Sequence, residues 1–274
     1  MNSTPPSSLV KIAVTVVLLG LSALTSSAQA APPAKATPIS WVNPKLPEGP
    51  GLTHFVLASK ALGHDVGYVL WKPAGFDAAR RYPVLYFLHG SGGTESADAA
   101  GFSGWVAKGI AKGLIPPVIV VFPNGGLSGY RGEVETMIVG ELIPLIDRTQ
   151  PTLGTGAARL VAGFSMGGAG AARLSLRHPN VFAAAASMGG REVTDLESLA
   201  ERNIAELRQR NFALMVFNGD MDHAQDFAAL AKKLEASGVS CPIIIHPDLD
   251  HNLGRYYELS CEPMLQFLGT HLAK

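Results

Sequence analysis

The stretch RLVAGFSMGGAG, residues 159–170, constrains this chain more than any other. An apolar run ends at Phe164, a lone hydroxyl follows at Ser165, and small residues crowd both sides of it. Gly163-Phe164-Ser165-Met166-Gly167 is a G-x-S-x-G sequence set between a strand-like run and a small-residue helix. In a nucleophile elbow the serine occupies a strained strand-to-helix turn that lifts its Oγ above the sheet. The flanking glycines are needed because a Cβ there would meet neighbouring backbone. The next N–H, that of Met166, points at the carbonyl under attack. A phosphate-binding loop is the competing reading, but no G-K-[ST] follows and the glycines miss the G-x-G-x-x-G spacing.

A serine in such a turn needs a sheet to stand on, and the chain supplies one. Two alternating runs, 53–59 and 65–73, read as a hairpin turning through Gly63. Dense apolar runs follow at 82–90, 117–125, 158–165, 211–219 and 241–247, as expected of strands buried on both faces of a parallel sheet. Helical spacing occupies 135–149, with Pro144 as a kink or break, then 169–179, 195–210 and 226–238. Strand and helix alternating over this length predict a doubly wound α/β sheet with helices on both faces. The chemical-looking segments all follow strands, at the carboxyl edge where ligands bind in such sheets.

An activated serine requires a base and an acid, in the order Ser, Asp/Glu, His along the chain. After the run at 211–219 come Asp220 and Asp222, both placed to reach an imidazole over the sheet edge. One of them is expected to serve instead as a helix cap or turn carboxylate. Of the late histidines, His251 lies in the loop beyond the last strand and is the favoured base. His246, at the end of that strand, is second, and His271 is a surface residue. The glycine-rich FLHGSGG at 87–93 provides backbone for a second oxyanion donor beside Met166.

The ends and the overall balance narrow the setting. Lys11, an apolar run too short for a bilayer span and the ending Ala28-Gln29-Ala30 describe a signal peptide over residues 1–30. The mature protein is therefore expected to be exported, to periplasm or medium, with no membrane span left after cleavage. Residues 31–50 form a proline-rich lead-in, and 51–274 fit one domain. Lys plus Arg and Asp plus Glu each number 22, without a basic stripe, which argues against a nucleic-acid partner. Cys241 and Cys261 bracket His251, and an oxidising compartment permits a disulfide between them that would limit the swing of the His251 loop.

Taken together, RYPVLYFLHGSGG, VIVVFPNGG, VAGFSMGGAGAARLSLRHPNVFAAAASMGG, FNGDMD and DHNLGRYYE resemble the putative-esterase family of α/β hydrolases. That family includes feruloyl and acetylxylan esterases, S-formylglutathione hydrolases, enterochelin esterases and mycolyltransferases. The resemblance implies an α/β-hydrolase fold, mostly parallel with an N-terminal antiparallel hairpin. It implies Asp222 as the acid, three residues after Gly219, and His251 as the base. It assigns the oxyanion hole to the amides of Ser91 and Met166. Where members often carry G-G-H-x-W, this chain has Leu249-Asp250-His251-Asn252-Leu253. The segment NGGLSGYRGEVET should overhang the site, making Tyr130 and Arg131 either substrate contacts or solvated loop residues. The expected activity is that of a serine carboxylesterase acting on a small-molecule or carbohydrate ester, with no metal or organic cofactor. An acyltransferase using a sugar hydroxyl, and a non-catalytic binding protein on the same fold, are the alternatives.

Overall fold

In a computed structural model of the protein, Met1, residues 39–191 and residues 193–272 are described. The expected signal peptide lies, apart from Met1, outside the described residues. Eight strands in this region join in one sheet: β1 (Leu52–Ser59), β2 (His64–Trp71), β3 (Val84–Leu88), β4 (Ile119–Pro123), β5 (Arg159–Phe164), β6 (Ala184–Met188), β7 (Ala213–Gly219) and β8 (Ile243–His246). Their spatial order is β1-β2-β4-β3-β5-β6-β7-β8. The expected hairpin is present: β1 pairs antiparallel with β2, Ser59 facing His64, and β2 pairs antiparallel with β4. Every other pairing is parallel.

Topology alone singles out one edge. The chain leaves β3 toward β4 on one side, then returns to lay β5 on the other. The carboxyl ends of β3 and β5 therefore flank a switch point, the place where α/β sheets open a crevice for ligands.

Alternate side chains of each strand feed two cores. Val84, Tyr86 and Leu88 enter one core, and Leu85 and Phe87 enter the other. The first is covered by α2 (Glu133–Thr136), α3 (Ile143–Thr149), α4 (Met166–Arg177), α5 (Leu196–Gln209) and α6 (Ala228–Ala236). The second is covered by α1 (Ala99–Ala111) and α7 (Leu253–Thr270). Phe87, Phe102 and Tyr257 pack at its centre, the Phe87 and Phe102 rings stacked 3.8 Å apart. Between α2 and α3, Met137–Leu142 widens into a π-helical turn, and Pro144 sits in the first turn of α3. Proline cannot donate to the preceding turn, so the break expected at Pro144 takes the form of a widened turn just before it.

Residues 40–43 of the lead-in are fastened to the domain. Asn124 Nδ2 donates to the carbonyls of Ser40 and Trp41, and the Asn43 amide donates to the buried Glu95 carboxylate at 2.7 Å.

The expected disulfide is not formed. Cys241 and Cys261 are both buried free thiols. Cys241 packs into the core under α6, whereas Cys261 on α7 packs into the core on the opposite face. The sheet lies between them, so near-symmetric placement around His251 in sequence does not bring the sulfurs together. Burial pushes the Cys241 thiol up to about 12 and raises that of Cys261 further, which keeps both protonated.

Candidate active site

Ser165 occupies the turn between β5 and α4 with φ 56° and ψ −119°, a conformation that side chains rarely adopt. Its amide is tied back to the Met188 carbonyl on β6 at 2.8 Å. The turn closes only because its flanks carry no side chain. A Cβ on Gly167 would lie 1.9 Å from the Leu88 carbonyl oxygen, and one on Gly163 would lie 2.5 Å from the Gly167 backbone. The surrounding packing thus enforces a strain that local sequence alone would release.

Three segments distant in sequence meet at this serine. His251 Nε2 is 2.8 Å from Ser165 Oγ, and His251 Nδ1 is 2.7 Å from Asp222 Oδ2. The imidazole stacks on Phe164, the residue before the serine, with ring centres 4.7 Å apart. Asp222 is buried and accepts three further hydrogen bonds. The Tyr256 hydroxyl donates to Oδ2 at 2.8 Å, while Arg191 Nη2 and Nε donate to Oδ1 at 2.6 and 3.1 Å. Burial pushes the Asp222 carboxyl upward. Hydrogen bonds from His251, Tyr256 and Arg191 outweigh that, and it sits below its ordinary 3.8.

Of the paired candidates, Asp220 and His246 face elsewhere. Asp220 Oδ1 accepts from the Leu249 amide at 3.3 Å, the turn-carboxylate role expected of one of the two acids. His246 Nε2 pairs with Ser260 Oγ at 3.0 Å.

The amide-bearing residues Ser91 and Met166 both line the cleft that opens over Ser165, a space of about 360 Å³. As the first residue of α4, Met166 presents an N–H that has no intrahelical acceptor. The loop carrying Ser91 is braced by His89. The Gly125 amide donates to His89 Nε2 at 2.9 Å, which leaves Nδ1 to carry the proton toward the Gly90 carbonyl at 2.8 Å. Burial lowers the His89 pKa, in keeping with this neutral tautomer.

Of the two expected substrate contacts, Arg131 lines the cleft and Tyr130 does not. Tyr130 is fully buried, its hydroxyl donating to the His89 carbonyl at 3.0 Å and its ring filling the space against Gly125 and Gly170. It supports the Ser91 loop from below, and its buried side chain takes no part in lining the cleft.

Sequence reasoning missed Arg191, Tyr256 and Arg173. Arg173, on α4, is buried and grips Asp195 through Nε and Nη2 at 2.7 and 2.8 Å. Tyr256 lies in the first turn of α7, within the DHNLGRYYE stretch, where nothing in the sequence marks its hydroxyl as a donor to Asp222. Arg191 follows Gly189-Gly190 at the end of β6, a strand whose alanines gave no signal.

A mostly parallel sheet with this serine turn at its carboxyl edge defines an α/β hydrolase. Comparison with known proteins agrees and narrows the class. The family model described as putative esterase matches residues 59–194, and that of the dienelactone hydrolase family matches residues 150–258, a span containing Ser165, Asp222 and His251. The chain is a relative of the putative esterases, as its motifs implied. It is 32% identical over 152 residues to a protein named Esterase Rv1288 from Mycobacterium tuberculosis, covering 52% of this chain and 32% of the other. It is 36% identical over 113 residues to an endo-1,4-beta-xylanase/feruloyl esterase from Xylanibacter ruminicola, covering 37% of this chain and 16% of that one. The matched region thus spans a third or less of these relatives' length. Among solved structures, a ferulic acid esterase superposes with a TM-score of 0.67 at 23% identity, covering 81% of this chain and 98% of that one. An S-formylglutathione hydrolase from Agrobacterium tumefaciens superposes with a TM-score of 0.64 at 15% identity, covering 81% and 95%. At such identities these structures speak for the fold.

Proposed function

We propose that this protein is an exported serine hydrolase that cleaves carboxylic esters through an acyl-enzyme. The observation that carries the reading is the continuous hydrogen-bonded line from Asp222 through His251 to Ser165, ending in an open cleft. Ser165 Oγ attacks the ester carbonyl as His251 Nε2 takes its proton. Asp222 holds the opposite edge of the ring and stabilises the imidazolium that forms. The amides of Met166 and Ser91 receive the developing oxyanion, where a fixed donor is worth about 3–4 kcal/mol. His251 then returns the proton to the departing alcohol, the acyl group stays on Ser165, and a water activated by the same imidazole releases it.

The relatives named as feruloyl and ferulic acid esterases make feruloyl esters a natural part of any substrate panel. Export rests on the Lys11, apolar-run and Ala28-Gln29-Ala30 pattern. A mature chain starting at Ala31 by N-terminal sequencing is the expected result.

The decisive experiment compares wild type with Ser165→Ala on p-nitrophenyl acetate, butyrate and octanoate and on methyl ferulate. The variant should lose at least about a thousandfold in kcat while keeping its circular dichroism spectrum and Tm. Wild-type turnover in the folded variant would remove Ser165 from the chemistry.

A further inference from the structure

Ser91 and Gly92 form the corner of a turn that the Gly93 amide closes onto the Gly90 carbonyl at 3.1 Å. The direction of the Ser91 N–H therefore depends on how both ends of that turn are held. One hold is the His89 ring, which donates to the Gly90 carbonyl while accepting from the Gly125 amide. The other lies just beyond the turn, at Thr94 and Glu95, and the lead-in supplies part of it. Asn43 Nδ2 donates to Thr94 Oγ1 at 2.8 Å, and the Asn43 amide donates to Glu95 Oε1 at 2.7 Å.

Glu95 is 1% exposed, and a carboxylate that deep is costly unless donors surround it. His54 Nε2 on β1 lies 2.8 Å from Oε1, and Asn124 Nδ2 donates to Oε2 at 2.7 Å. Beneath it runs the bare backbone of β2, where a Cβ on Gly67 would come within 2.0 Å of Oε1. Both holds meet at one place: Asn124 grips Glu95, and the adjoining Gly125 grips His89. The lead-in covers this junction. The Trp41 carbonyl accepts from the Gly67 amide at 2.7 Å, and a Cβ on Gly126 would lie 2.8 Å from the Trp41 ring. Asn43 and Leu46 line a groove together with Gly92 and Gly93, the residues that follow Ser91.

We propose that Glu95 is a positioning residue and that residues 40–43 of the lead-in work with it, together aiming the Ser91 amide at the oxyanion. This rests on the ester-hydrolase reading of Ser165 and on Ser91 as one of the two oxyanion donors. Among the described residues, the lining of the Ser165 cleft includes neither Glu95 nor the lead-in, so both act through Ser91. An oxyanion donor works on the transition state, so a misaimed Ser91 amide lowers kcat and leaves KM in place.

The test compares the mature protein with two shortened chains, one starting at Ile39 and one at Pro44, and with Glu95→Gln and Asn43→Ala. Each is assayed on p-nitrophenyl acetate and titrated with trifluoroacetophenone, whose adduct with the serine carries an oxyanion. Circular dichroism and Tm report folding. The chain starting at Ile39 keeps the fastened segment and should match the mature protein. The chain starting at Pro44 and Glu95→Gln should each lose about tenfold or more in kcat, with KM within about twofold. Their inhibition constants for the ketone should rise by the same factor. Asn43→Ala removes the hold on Thr94 but keeps the main-chain amide, and should cost about threefold in both quantities. Unchanged kcat in the folded Pro44 chain overturns the part given to the lead-in. Unchanged kcat in folded Glu95→Gln overturns that given to Glu95. Where either fails to fold, Asn43→Ala decides, and values equal to those of the mature protein overturn the proposal. A fall in kcat without a matching rise in the ketone constant overturns it too, since the damage then lies outside the oxyanion hole. Failure of the mature protein to cleave any p-nitrophenyl ester or methyl ferulate overturns the hydrolase reading, and this inference with it.

Discussion

The two edges of the His251 ring sit in opposite surroundings. At Nδ1 the partner is Asp222, buried, with both carboxylate oxygens occupied by Tyr256 and Arg191 as well as by the ring. At Nε2 the partner is Ser165, partly exposed, beside a cleft of about 360 Å³. A buried carboxylate is costly unless several donors satisfy it, and those donors also fix its direction. A nucleophile, by contrast, must leave room for the group it attacks. Order is concentrated at the end that never moves, and space at the end where bonds change.

The comparison breaks most visibly if the held end is removed. His251→Ala and Asp222→Asn are each expected to lower kcat by about ten-thousandfold on p-nitrophenyl esters, with the fold intact. Asn at 222 would keep the shape but disfavour the required tautomer. A variant at either position that kept a tenth of wild-type kcat would show that the line through His251 is not the proton path.

At the open end the corresponding weakness is steric. Gly167→Ala places a methyl 1.9 Å from the Leu88 carbonyl oxygen, a backbone atom that cannot swing aside. A loss of about 3 kcal/mol in urea unfolding is expected. Equal stability of the variant would mean that the elbow is looser than its dihedral angles imply.

Both ends were legible in the sequence to different degrees. Ser165 announced itself because the elbow is a local device: strand, strained residue and obligatory glycines are adjacent. Asp222 and His251 were reachable by chain order, although choosing Asp222 over Asp220 needed the family resemblance. What surrounds Asp222 stayed hidden because it converges from elements without a shared pattern. Strand β6 reads AAASM, with alanines where β-branched residues would signal a strand, since α4 packs close against it. Helix α1 carries Gly101, Gly104 and Gly109, which blunt its helical signal. A Cβ on Gly109 would come within 2.7 Å of Leu265, so close helix contact explains that one. The disulfide failed for a related reason, because sequence spacing carries no information about which face of the sheet a residue enters.

The residues around the acid give smaller effects that grade the comparison. Tyr256→Phe removes one donor to Asp222 and the acceptor for the Gly219 amide. About a tenfold fall in kcat is expected, because Asp222 keeps Arg191 and His251. Asp220→Asn and His246→Ala touch neither end, and kcat within about twofold of wild type is expected for both. A tenfold loss from either would mean that the chosen acid or base has been exchanged with its neighbour.

The smallest effect separates the two ends by pH. His89 braces the Ser91 loop at the open end, and burial holds its pKa below the ordinary 6.5. As pH falls below 6.5 the unfolded chain takes up a proton that folded His89 resists. Its contribution is therefore complete above 6.5 and is lost as pH drops through the lower folded value. His246, lowered by burial too, adds to the same window. At the held end the depressed Asp222 carboxyl contributes fully above 3.8 and loses that contribution only as pH falls below it. Thermal midpoints measured from pH 8 to pH 3 should thus decline in two stages, the first belonging to the histidines and the second to the carboxylates. His89→Gln, with His246→Ala as the control for the other histidine, should flatten the first stage and leave the second in place. A first stage unchanged in both variants would place the near-neutral sensitivity elsewhere and deny His89 its buried neutral state.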